Sequence, residues 1–258
     1  MTKKILITGA SSGFGLGAAI ELARQGHQVI ATAETWPQVR SLRSDAAEAG
    51  VELEVIKLNL LNDIDLAHAA TYDPDVLVLN SGIMESGSVV DIPIERVRES
   101  FEVNVFSQIK LVQGIVPKMV ARKSGKVVWL SSMGGIMALP FIGAYCATKH
   151  AIEAFAGAMK TELEPHGVKV ATVNPGMFST GFNDTGAESH VQWYDEKTAV
   201  VPMPDFGGAL ANQNDPKEMI DAMVEIITAE DHLYRTMRPS ETIDAAKKWQ
   251  ETEWTQNA

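Results

Sequence analysis

Residues 5–17 read ILITGASSGFGLG. Ile5, Leu6 and Ile7 form an apolar, mostly β-branched run that ends in Thr8, after which Gly9, Gly13 and Gly15 are interspersed with small residues until Leu16 opens a helical pattern. A strand passing through glycines straight into a helix lets the backbone approach a pyrophosphate. The N–H groups of the first helical turn then meet its charge. A bare glycine turn could do no more than pack helix on strand, but a glycine run placed between a first strand and a first helix carries the binding reading.

Working outward, strand-length apolar runs recur at residues 28–33, 52–58, 75–79, 126–131 and 168–173, after the first at 4–8. Helical spacing lies between them, as in Leu16, Ile20 and Ala23, or Val97, Phe101, Val105, Ile109 and Val112. Strand and helix alternate, which predicts a doubly wound parallel α/β sheet of the Rossmann type, covered by helices on both faces. A short run at residues 233–237 would make about seven strands. Beyond Val173 the rhythm breaks, and residues 174–215 show no clear period before a helix resumes at 216–229. A loop of this length in a compact domain is usually functional, so residues 177–215 are expected to form a substrate lid. Residues 241–254 read as a final amphipathic helix.

Composition narrows the class. The chain has 258 residues, 45% of them hydrophobic, and 33 acidic against 22 basic residues give a net charge of -11. Such a chain folds, and its charge argues against a nucleic-acid partner. At about 150 residues per domain one or two domains fit, and one spanning residues 1–258 is preferred. The lone Cys146 allows no internal disulfide, and no Cys/His spacing suggests a metal. Lys3 and Lys4 precede an apolar run too short for a signal peptide, and no run reaches membrane length. A cytoplasmic protein with no membrane partner is expected.

Two further clusters carry chemistry. Asn80, Ser81 and Gly82 close the fourth strand, small and polar after an apolar run. Tyr145 and Lys149 stand four apart in a helical pattern, which puts phenol and ammonium on one face. A neighbouring cation favours phenolate, so the tyrosine is expected to titrate below its usual value of about 10 and to act as a general acid/base. Ser131 and Ser132 end the fifth strand, where an open α/β sheet places its ligand.

Together TGASSGFG at residues 8–15, NSG at 80–82, Ser132, YCATK at 145–149 and NPG at 174–176 resemble the short-chain dehydrogenase/reductase family, in order and spacing from Lys4 to about Arg238. The resemblance implies a catalytic tetrad of Asn104, Ser132, Tyr145 and Lys149. Tyr145 would be the acid/base, and Ser132, thirteen residues earlier, would hydrogen-bond the substrate oxygen. Lys149 would lower the tyrosine pKa and hold the nicotinamide ribose, while Asn104 would anchor a water that relays protons. Cofactor contacts would come from Gly9, Ser11, Ser12, Gly13, Phe14, Gly15, Glu34, Asn59, Leu60, Asn80, Ser81, Gly82, Tyr145, Lys149, Pro175, Gly176 and Thr180. Substrate contacts would come from Ser132, Met133, Tyr145, Met177 and Phe182. The family also implies a homodimer or homotetramer built on helices near residues 97–121 and 144–163.

Three positions depart from the family pattern. Phe14 stands where Ile or Leu is usual, Ser81 replaces Asn or Ala, and Asn59 replaces the aspartate that touches the adenine amine. Cofactor choice turns on the end of the second strand. NAD users carry an acid at the position of Ala33, and NADP users a base one place later, where this chain has Glu34. A carboxylate beside a 2′-phosphate repels it, so NAD is favoured. NADP is the alternative if Arg40 or Arg43 takes the phosphate.

Met133, Ile136, Met137, Leu139 and Phe141 follow the serine, and Phe178, Phe182, Trp193, Tyr194, Met203 and Phe206 punctuate the long loop. They suit an apolar or aromatic secondary alcohol or ketone. A dinucleotide-sensing regulator on the same fold is the alternative function, although such proteins typically lose the tyrosine or lysine. The six scattered histidines, the basic cluster at residues 118–126 and the sequon at Asn183 are assigned no role.

Overall fold

The computed structural model describes residues 1–255. Seven parallel strands form one sheet in the order β3-β2-β1-β4-β5-β6-β7. They are β1 (Lys4–Ile7), β2 (Gln28–Ala33), β3 (Glu54–Lys57), β4 (Val76–Leu79), β5 (Gly125–Leu130), β6 (Val168–Pro175) and β7 (Arg235–Arg238). Ten helices accompany them among the described residues. These are α1 (Gly13–Arg24), α2 (Trp36–Glu48), α3 (Asp63–Ala69), α4 (Ile94–Phe101), α5 (Ser107–Arg122), α6 (Gly143–Leu163), α7 (Phe182–Glu188), α8 (Gly207–Leu210), α9 (Pro216–Thr228) and α10 (Glu241–Glu253). A π-helical turn, Glu102–Phe106, joins α4 to α5.

Both faces of the sheet are covered, which is why its strands read as unbroken apolar runs. Alternate residues sort the core into two layers. Ile5, Ile7, Val29, Ala31, Val76 and Val78 pack with Ala18 and Leu22 of α1, Val39 and Leu42 of α2, and Met219, Met223 and Ile227 of α9. Leu6, Ile30, Leu77, Leu79, Val127 and Trp129 pack with Leu111, Ile115 and Met119 of α5 and Ile152 and Ala156 of α6. The strand order turns back between β1 and β4, and an open parallel sheet gathers its ligand in the crevice at such a point.

The long segment after β6 departs from its sequence reading. The strand runs on to Pro175, because Asn174 and Pro175 pair with Met237 and Arg238 of β7. The stretch that follows is partly helical, holding α7, a 3-10 turn at Ser189–Gln192 and α8. Seven-residue and four-residue helices are too short for a 3.6-residue period to show, since periodicity needs a window of about 11 residues or more. At the other end of the chain α10 lays Ala246 against Ile136 and Met237. No described helix is long and apolar enough to cross a membrane.

Candidate active site

A cavity of about 790 Å3 opens along the carboxyl ends of the strands. Its first wall is the loop between β1 and α1. Gly9 and Gly13 hold φ angles of +64° and +54°, a region that L side chains avoid. A Cβ on Gly9 would stand 2.7 Å from Ser81 Oγ, and one on Gly15 would stand 2.5 Å from both Asn80 Nδ2 and the Gly9 oxygen. The loop therefore lies flush against the end of β4. Asn80 pins it by donating to the Thr8 and Gly9 carbonyls at 2.9 Å each, while Thr8 Oγ1 accepts from the Asn80 and Ser81 N–H groups at 2.9 and 3.0 Å. The first turn of α1 carries no capping side chain and no acid, so its N–H groups suit an anion such as a dinucleotide phosphate.

The Gly15→Ala variant should keep its fold and lose affinity for a nicotinamide dinucleotide by about tenfold or more, given the cost of overpacking. Fluorescence titration checks this, and an unchanged dissociation constant would detach the loop from cofactor binding.

Every cofactor-binding residue proposed from the sequence except Gly15 lines this cavity: Gly9, Ser11, Ser12, Gly13, Phe14, Glu34, Asn59, Leu60, Asn80, Ser81, Gly82, Tyr145, Lys149, Pro175, Gly176 and Thr180. Gly15 sits behind the loop. Phe14 stacks edge-on against Phe178 with centroids 5.5 Å apart, so the larger ring ties the loop to the segment after β6. Asn59 Oδ1 accepts the Leu61 N–H at 2.8 Å, so one acceptor site of the amide serves its own turn. Glu34 is exposed on the rim, in a turn closed by the Thr35–Gln38 capping box, while Ala33 is fully buried. Arg43 donates to the Val55 carbonyl at 3.2 Å, and neither it nor Arg40 reaches the cavity wall.

The far wall brings Ser132, Tyr145 and Lys149 together, and all three are buried. Ser132 follows β5, and its Oγ accepts the Gly134 N–H at 3.0 Å. Lys149 Nζ donates to the Leu130 carbonyl at 2.8 Å and lies 5.6 Å from the centre of the Tyr145 ring. Asn104 sits in the π-helical turn. Its Nδ2 donates to Ile83 O at 2.8 Å and Thr148 Oγ1 at 3.0 Å, and its Oδ1 accepts the Ile83 N–H at 2.8 Å. Both amide hydrogens are committed, which makes the side chain a brace between the end of β4 and α6.

The lowered tyrosine pKa expected from spacing does not hold in the protein alone. Burial pushes the Tyr145 phenol well above the usual tyrosine range, with the Ser132 hydroxyl pulling the other way. The physical reason is that the ammonium points at the Leu130 carbonyl and is itself desolvated. Burial brings Lys149 down to about 8, opposed by the Glu153 carboxylate. Desolvation outweighs the cation–phenol attraction at this separation.

The expected substrate wall is only partly assembled. Met133, Leu139, Met177, Phe178, Phe182 and Phe206 line the cavity, with the Phe182 ring 5.9 Å from that of Tyr145. Ile136, Met137, Phe141, Trp193, Tyr194 and Met203 do not. Ile136 is core, and the Trp193 ring closes on Gly87. The sequence reading also passed over Gln108, which donates to Ser81 O at 2.7 Å, and Glu153, which lies against Asn174. Following the Tyr145–Lys149 spacing one turn further reaches Glu153, so that signal was present.

A parallel sheet whose switch-point cavity joins a glycine loop to a buried Tyr–Lys pair defines a dinucleotide-dependent oxidoreductase. The chain belongs to the short-chain dehydrogenase family, whose profile matches residues 3–190. It is 30% identical over 246 residues to the oxidoreductase YusZ of Bacillus subtilis, covering 88% of this chain and 86% of that one. A short-chain dehydrogenase from Streptomyces avermitilis superposes with a TM-score of 0.79 at 28% identity, over 98% of this chain and 94% of the other. An actinorhodin polyketide ketoreductase solved with NADPH gives 0.76 at 25%, over 89% and 91%. The protein is thus an enzyme that transfers hydride with NAD or NADP as cofactor.

Proposed function

We propose that the enzyme interconverts a secondary alcohol and its ketone, that the substrate is apolar or aromatic, and that Tyr145 is the acid/base. The observation that carries this reading is the juxtaposition of a buried, protonated phenol and the Ser132 hydroxyl with Met133, Met177 and Phe182. Lys149 is the one cation on the cavity wall among the described residues, and its ammonium is turned to the Leu130 carbonyl, which disfavours an anionic substrate. Glu34, on a rim whose described lining residues include no arginine, favours NAD.

When bound, the nicotinamide accepts or supplies the hydride. Ser132 Oγ takes one N–H from Gly134, and its own O–H, which faces the Tyr145 phenol, turns to the substrate oxygen and holds the carbonyl against Tyr145. In reduction Tyr145 gives its proton to that oxygen, and in oxidation it takes the proton away. The Lys149 ammonium supports the phenolate left after donation, and the apolar wall keeps bulk water from competing for the proton. The test is a cofactor-reduction screen with NAD over a panel of secondary alcohols. Turnover of aryl and long-chain alcohols above polyols is expected. Equal or better turnover of polyols, or none across the panel, overturns the reading.

Residues 177–215 act as the lid over this end, with Phe182 and Phe206 facing the cavity. Hydrogen exchange in that segment should slow when cofactor and substrate are both present. Identical exchange with and without ligands would rule out a closing movement.

A further inference from the structure

Glu153 stands one turn beyond Lys149 on α6, with only 9% of its side chain exposed. One carboxylate oxygen accepts the Asn174 Nδ2–H at 2.6 Å and the other accepts from Arg235 Nη2 at 2.7 Å. Asn174, fully buried in β6, gives its Nδ2 also to the Ser132 carbonyl oxygen at 3.0 Å. The carboxylate is therefore two hydrogen bonds from the main chain of Ser132. Gly135 makes the approach possible, since a Cβ there would lie 3.1 Å from Glu153 Cγ and 3.0 Å from the Lys149 carbonyl oxygen.

A buried charge is costly unless paired, and here the half-exposed Arg235 pairs it from outside. An amide at position 153 could accept the Asn174 hydrogen bond equally well. A carboxylate adds negative charge and a second acceptor, which Arg235 uses, and that charge lies one helical turn from Lys149. The groups near it are Lys149 on its own helix, Asn174 on β6, Arg235 on β7 and Tyr234 just before that strand. Facing the Lys149 ammonium are the Leu130 carbonyl, the Tyr145 ring and Asn104 across Gly82, with Glu153 one turn further along the same helix.

We propose that Glu153 is a positioning residue of the reaction, holding the Ser132 main chain through Asn174 and placing a fixed negative charge one helical turn from Lys149 of the Tyr145–Lys149 pair. This rests on Tyr145 serving as acid/base. A negative charge makes both the phenol and the ammonium keep their protons to higher pH. Removing it shifts the pair downward whichever of the two loses its proton first.

The experiment is the pH profile of kcat/KM for ketone reduction. In Glu153→Gln the alkaline limb should move down by about 0.5 pH unit or more. Arg235→Gln keeps the carboxylate and removes its cation, so the same limb should move up. An unmoved limb in Glu153→Gln, whatever its loss of thermal stability, assigns the residue a purely structural role and overturns the proposal. Should Glu153→Gln fail to fold, Arg235→Gln decides alone, and an unmoved limb there is equally fatal. Failure of the underlying reading looks different, because Tyr145→Phe would then turn over like the wild type.

Discussion

Tyr145→Phe is expected to lower turnover by at least about 100-fold, the contribution of one positioned acid/base, while leaving dinucleotide affinity within about twofold. The ring is buried on α6, with the Phe182 ring centre 5.9 Å and the Lys149 ammonium 5.6 Å from its own centre, so phenylalanine fills the same space. What disappears is the O–H that faces Ser132. Because the phenol is held protonated by burial, the loss should be largest in carbonyl reduction, where that proton is given to the substrate oxygen. Single-turnover kinetics with prebound cofactor isolate the step. Turnover within tenfold of the wild type would move the acid/base role elsewhere.

The second large effect concerns the cofactor. The wild-type enzyme should show a higher kcat/KM with NAD than with NADP on the same substrate, and Glu34→Arg should reverse the order. A carboxylate about 4 Å from a partly solvated 2′-phosphate costs on the order of 1 to 4 kcal/mol, so the preference should change by between about fivefold and several hundredfold. The geometry behind this is local. Glu34 sits exposed on the rim, the Thr35–Gln38 capping box holds its turn, and Arg43 is engaged with the Val55 carbonyl. A wild-type preference for NADP would refute the electrostatic argument and direct attention to Arg40, which is exposed on α2.

Most of the fold was legible because it rests on short-range patterns. Strand-length apolar runs alternating with helical spacing specify a parallel sheet, and the glycine run after β1 marks its ligand-binding edge. The Tyr145–Lys149 pair was readable for the same reason, since four residues on a helix is a distance that sequence alone sets. Helices shorter than a repeat left no such trace, and α7 and α8 were therefore hidden in the segment after β6.

Other features depend on groups that are distant in sequence and adjacent only in the folded chain. Spacing alone suggested a depressed tyrosine pKa, but the protonation of Tyr145 is decided by burial and by where the Lys149 ammonium points. Asn104 is a brace because Ile83 and Thr148 converge on it, and Glu153 matters because β6 and β7 bring Asn174 and Arg235 to its carboxylate. The sequence by itself determined the class of fold, the position of the glycine loop at the cavity and the helical pairing of Tyr145 with Lys149, all of which follow from residue type and local period. Only the tertiary structure decided which apolar residues face the cavity and which charges the pair feels, because desolvation and Coulomb energy depend on distances through space.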